Sequence, residues 1–155
     1  MSVSIELTNK REIIQLLDKL PRAFESKAVR KLIKYSVVPL VKRIKEKAPR
    51  SLKPHRGKYG MVTPGTLIAS VGTIDMKRSK NVALVVGLRV KGAFGKAKSG
   101  FYGMWVERGT KNMPAQPFLR PSYDETKDEV VRRFEHDAKK IFEKEIAKWT
   151  KQGKI

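Results

Sequence analysis

The sequence predicts an α+β fold: a small antiparallel sheet of three to four strands, built around a β-hairpin, packed against a long helix in the N-terminal half and a long C-terminal helix. Three observations carry this expectation. Apolar residues recur at three- and four-residue steps across 24–48 and again across 130–149, the period of one buried helical face. Between them, 67–74 and 82–90 are rich in β-branched residues and flank the polar 75–81, which reads as a hairpin. At 155 residues with 40% hydrophobic content, the chain has the size of a single domain, 1–155, with its own core.

Taken in order, Val3, Ile5 and Leu7 alternate with polar residues and suit a short half-buried strand. Asn9 stands three residues before Glu12, the spacing of a capping box opening a helix through about Leu20. Pro21 is placed for the first turn of the next helix, where its missing N–H costs nothing. That helix carries Phe24, Ala28, Leu32, Val37, Leu40, Val41, Ile44 and Ala48 on one face and Lys27, Arg30, Lys31, Lys34, Lys42 and Lys45 on the other. Pro39 falls inside the pattern and should kink or divide it.

Periodicity disappears at about 49–65, where prolines and glycines mix with Arg50, Lys53, Arg56 and Lys58; a mobile basic loop is expected. A second such loop, about 91–100, holds Lys91, Lys96 and Lys98. The aromatic stretch 101–107 reads as a third strand. An extended, proline-rich linker follows, and Pro121 should start the last helix, with Ser122 and Glu125 as its capping box. In that helix acids precede bases, the order favoured by the helix dipole.

The net charge is +20, and 42–98 alone holds fifteen Lys or Arg against Glu46 and Asp75. Such a balance attracts nucleic acid, acidic proteins or anionic lipid. Tyr59 and Phe94 are the only Phe, Tyr or Trp in that stretch, too few for a stacking platform, so a solvated charged face and a DNA-contact surface are equally compatible with it. The N-terminus does not read as a signal peptide, and no apolar run approaches the ~20 residues of a membrane span.

Catalytic chemistry finds little support. Cysteine is absent and the two histidines, His55 and His136, have no partners at metal-ligand spacing, so neither a metal site, a thiol nucleophile nor a cofactor is expected. Phosphate-binding and nucleophile-elbow motifs are missing. The protein is therefore read as a non-enzyme. Glu107, the one acid of the aromatic stretch, has three readings: catalysis, a subunit contact, or pairing with Arg108 or Arg120, and pairing within or between subunits is favoured because a catalytic acid normally has a second positioned group.

The string Phe101-Tyr102-Gly103-Met104-Trp105-Val106-Glu107-Arg108-Gly109-Thr110, continued by Met113-Pro114-Ala115-Gln116-Pro117-Phe118-Leu119-Arg120-Pro121, is more specific. It resembles the tail-completion, or head–tail joining, proteins of tailed bacteriophages, the gene-ten-product-like minor tail family of lambdoid phages. There an aromatic segment ending in Val-Glu-aromatic-Gly-Thr precedes Met-Pro-Ala-x-Pro-Phe-Leu-Arg-Pro and a long helix. Ala48-Pro49 and Gly65-Thr66-Leu67-Ile68-Ala69-Ser70-Val71 are similar to further family patterns, so the likeness spans roughly 24–149. Arg108 replaces the family's usual aromatic residue, and Pro64 its common Thr.

The resemblance implies a virion structural protein of the neck or tail of a phage or prophage, assembled in the bacterial host cytoplasm as a ring of six subunits. Its partners would be copies of itself, other neck and tail proteins and passing DNA, with no membrane. Trp105, Glu107, Gly109, Pro117, Phe118, Leu119 and Arg120 are expected to form the structural signature and subunit contact. Arg50, Lys53, Arg56, Lys58, Lys91, Lys96 and Lys98 are expected to meet partners or DNA. An alternative function is non-specific nucleic-acid binding by a basic protein.

Overall fold

The computed structural model describes residues 10–18, 22–57, 60–76, 82–90 and 100–153. In chain order the elements are α1 (Lys10–Asp18), α2 (Arg22–Ser36), α3 (Val38–Lys47), β1 (His55–Gly57), β2 (Gly60–Val62), α4 (Thr66–Ser70), β3 (Val71–Asp75), β4 (Leu84–Leu88), α5 (Gly103–Arg108) and α6 (Leu119–Lys151). The class is α+β. No helix among the described residues is long and apolar enough to cross a membrane.

The chain divides into two compact units, one of Met1–Val38, Met76–Leu84 and Asp128–Ile155, the other of Pro39–Asp75 and Val85–Lys127. In the first, α1, α2 and the distal part of α6 share an apolar core of Ile13, Ala28, Leu32, Ala138, Phe142 and Trp149. These positions recur at helical spacing, so each helix turns one stripe inward. Ala28 and Ala138 are fully buried, and with only a methyl each they leave room for the larger Leu32 and Phe142 beside them. A polar pair crosses this interface: Lys31 Nζ donates to Glu145 Oε1. Glu145 is buried while the Lys31 side chain stays 39% exposed, so the lysine stem reaches in from solvent to partner a carboxylate that would be costly to bury alone.

In the second unit, α3 sends Leu40 and Ile44 inward. The expected division of the long N-terminal helix falls at Val37, two residues before Pro39: Val37 N still donates to Ile33 O (3.1 Å), and α3 then begins at Val38, so Pro39 occupies a first-turn position where its missing donor leaves no bond unmade. β1 and β2 pair antiparallel, with Arg56 opposite Met61 and Gly57 opposite Gly60. β3 pairs with β4. The flanking bonds, Met76 N to Ala83 O (3.1 Å) and Arg89 N to Ser70 O (2.9 Å), advance along one strand as they recede along the other, the pattern of an antiparallel hairpin.

Several expectations need correction. Among the described residues the two strand pairs are separate two-stranded sheets, fewer joined strands than the expected sheet of three to four. The aromatic stretch expected to be the third strand is largely the helix α5. The segment 67–74, expected as strand throughout, begins as the single-turn helix α4. The stretch 49–65 is not all loop, since it contains β1, β2 and Pro64-Gly65 leading into α4. The last helix begins at Leu119 rather than Pro121. The expected strand 3–7, the Asn9 cap and 91–99 lie outside the described residues.

Phe142 is 1% exposed, and Phe142→Ala is expected to lower unfolding free energy by about 3–5 kcal/mol in urea or guanidinium titration. A loss under about 0.5 kcal/mol, the range of an inert surface change, would contradict its place in the core.

Candidate functional site

The signature residues meet where α5 hands over to α6. Gly103, the first residue of α5, lies so close to its neighbours that an added Cβ would sit 2.0 Å from Leu88 Cδ1 and 2.8 Å from Leu67 Cδ1. Glycine therefore lets the helix backbone rest on those two side chains. Phe101 meets Tyr102 and Trp105 edge-on, each with ring centroids 5.7 Å apart, a geometry the aromatic quadrupole favours. Burial raises the pKa of Tyr102, against the opposing effect of a backbone hydrogen bond with Leu67.

Gly109 ends α5. Its N–H donates to Trp105 O (2.7 Å), and its φ of 75° lies where L side chains are strained. A Cβ there would also come within 2.8 Å of Ala115 N. The chain then reverses: Thr110 and Met113 exchange backbone bonds at 2.8 and 3.2 Å, and Gln116 N donates to Val106 O (2.8 Å). That last bond ties the extended segment back against α5 and delivers Phe118, Leu119 and Arg120 to the Glu107 side chain.

Glu107 is the centre of the junction. Its Oε2 accepts the backbone N–H of Phe118 (2.7 Å) and Leu119 (2.9 Å), and its Oε1 accepts that of Arg120 (3.0 Å). Helix starts leave N–H groups without intrahelical partners and carry a partial positive charge; here a carboxylate from another helix supplies the cap. Burial acts to raise the Glu107 pKa, but the three backbone donors and the positive charge of Arg120 outweigh it and hold the group below the usual 4.5. The expected capping box does not form. Ser122 instead donates its hydroxyl to Phe118 O (2.5 Å), and Glu125 accepts from Arg43 Nε (2.7 Å) and from Lys47 Nζ.

Below the cap, Phe118 is fully buried, as are Ser122 and nearly Thr126. Thr126 Oγ1 donates to Ser122 O (2.7 Å), so the buried face of proximal α6 is built from small hydroxyl residues that satisfy themselves on the preceding turn. Beside the cap lies an open groove of about 700 Å³ lined by Leu88, Val90, Phe101, Met104, Pro117 and Leu119, with Glu107, Arg108 and Arg120 among its polar groups.

The signature residues divide by role. Glu107, Gly109, Phe118, Leu119 and Arg120 make the junction itself; Pro117 is exposed, and Trp105 is half exposed and packs on Phe101. Pairing of Glu107 with Arg120 is present only as an electrostatic contribution, because the carboxylate oxygens are taken by backbone donors. Of the residues expected to meet partners, Arg50 and Lys53 are exposed. The Arg56 side chain and Lys58, Lys91, Lys96 and Lys98 lie outside the described residues. His136 is exposed beside Asp137 (2.9 Å), and the His55 side chain is not among those described. No group of three or more His, Asp or Glu among the described residues could hold a metal.

Sequence reading missed Gly103, Gln116 and Thr126 as parts of this site, and gave Ser122 a capping role that it does not have. Only Gly103 carried a signal, as a glycine inside an aromatic run.

Phe118→Ala is expected to destabilise by about 3–5 kcal/mol in denaturant titration, and a change within about 0.5 kcal/mol would remove it as an anchor. Glu107→Gln keeps the size of the side chain but loses the charge at the helix start, and should cost about 1–2 kcal/mol at neutral pH. Because the folded pKa is lowered, the charge-dependent stabilisation is complete above the unfolded value near 4.5 and fades as pH falls through the folded value. The stability gap between wild type and Glu107→Gln should narrow below pH 4.5; a gap independent of pH would count against the cap.

The chain matches no protein-family model, no curated protein and no solved structure.

Proposed function

We propose that this protein is a virion structural subunit of a tailed phage or prophage, a tail-completion or head–tail joining protein that works without catalysis or cofactor. In this reading six copies assemble as a ring in the host cytoplasm, contact other neck and tail proteins, and lie close to passing DNA. The observation that carries it is the string from Trp105 to Pro121 with its resemblance to that phage family. It gains support from the physical coherence of the string: five of its seven signature residues serve one helix-capping junction, so the pattern answers to a structural requirement rather than to a reacting group.

A second reading, non-specific nucleic-acid binding, is favoured by the +20 charge and its concentration in 42–98. Cations held at phosphates displace counterions, which makes such binding fall steeply with salt.

Light scattering coupled to size exclusion, followed by electron microscopy of the fractions, distinguishes the two. Closed rings of uniform size are the expected result. Monomers at every concentration, together with duplex DNA binding that falls steeply with salt, would overturn ring assembly and favour the second reading.

A further inference from the structure

We propose that the groove beside the Glu107 cap is a docking site for an acidic, apolar segment of a different protein. The groove is lined by apolar groups that are exposed among the described residues, among them Val90, 53% exposed, and Met104, 58% exposed, with Pro117 and Leu119 alongside. Arg108 and Arg120 are exposed in the same groove. Neither guanidinium forms an ion pair among the described residues. Glu107, the carboxylate among the described lining residues, is turned onto three backbone N–H groups and so does not neutralise them by contact.

This combination selects its occupant. Apolar walls exclude water and reward an apolar side chain, while a guanidinium at a partly desolvated edge binds a carboxylate bidentately and more strongly than in open solvent. The contrast with Arg43 and Lys47 in the same unit is informative: their charges are already engaged by Glu125. A second copy of this chain is a poor occupant of this groove, since its carboxylates Glu46, Glu125, Glu129 and Glu145 already pair with Arg or Lys and Glu107 with backbone N–H groups; ring contacts would use other surfaces. Nucleic acid would find the phosphate-binding helix start already filled by Glu107. The proposal does not depend on ring assembly or on the phage reading.

The test uses the full-length protein and fluorescence anisotropy with three labelled probes: a peptide alternating Asp and Leu, one alternating Asp and Ser, and a single-stranded oligonucleotide. The Asp/Leu peptide should bind tightest. Arg108→Gln/Arg120→Gln should weaken it about tenfold or more, with circular dichroism unchanged, whereas Lys139→Gln/Lys140→Gln, which removes two exposed charges from distal α6, should leave it intact. Met104→Ser should weaken the Asp/Leu peptide and not the Asp/Ser peptide. Equal binding of both peptides, or equal losses in the two double variants, would reduce the effect to general charge attraction and overturn the proposal. Displacement of the peptide by the oligonucleotide, with the same dependence on Arg108 and Arg120, would overturn it in favour of nucleic acid.

Discussion

Three backbone N–H groups at the start of a 33-residue helix converge on one carboxylate, and most of the surrounding local structure exists to bring the two together. Glu107 sits near the C-terminal end of α5, where the dipole of its own helix disfavours a negative charge. The three backbone donors and the charge of Arg120 outweigh its partial burial and hold its pKa below the ordinary value. The cap is remote in sequence, eleven to thirteen residues from the groups it satisfies, so it does two things at once: it ends a helix start properly and it locks the reversal between two helices.

Each neighbouring feature answers to that constraint. Gly109 permits the positive-φ conformation that leaves α5, the Thr110–Met113 bridge closes the reversal, and Gln116 registers the returning segment against Val106. Burial of Phe118 directly after the returning segment converts the cap into an anchor. Five residues of the string, Glu107, Gly109, Phe118, Leu119 and Arg120, are thus accounted for by packing and capping. The surface by-product of the string is the apolar groove with two arginines, which those internal requirements do not explain.

The long helices were legible because their apolar residues repeat often enough to reveal a 3.6-residue period; Ala28, Leu32, Ala138 and Phe142 all fall where the pattern places them. Short elements were legible unevenly: α1 and the β3–β4 hairpin fall inside the expected segments, whereas β1, β2, α4 and α5 do not. The six residues of α5 span less than two turns, and Phe101, Tyr102, Trp105 and Val106 have the composition of a strand. What decided otherwise was tertiary: the glycine contact with Leu67 and Leu88 and the C-terminal turn at Gly109. Ser122 and Glu125 had the spacing of a capping box but begin too late in the helix, and their side chains go to Phe118 O and to Arg43 and Lys47. Local spacing identified the right kind of interaction, a carboxylate at a helix start, at the wrong residue. Glu107 itself stood out as the lone acid of its segment, yet nothing in the sequence indicated that its partners would be backbone amides rather than arginines.

The account rests most directly on the Glu107 carboxylate accepting those three amides, and amide proton chemical shifts followed by NMR over an acid titration measure it. Phe118, Leu119 and Arg120 should titrate together, with a shared midpoint below 4.5 that disappears in Glu107→Gln. Three amides that titrate separately, or with a midpoint at or above 4.5, would contradict it.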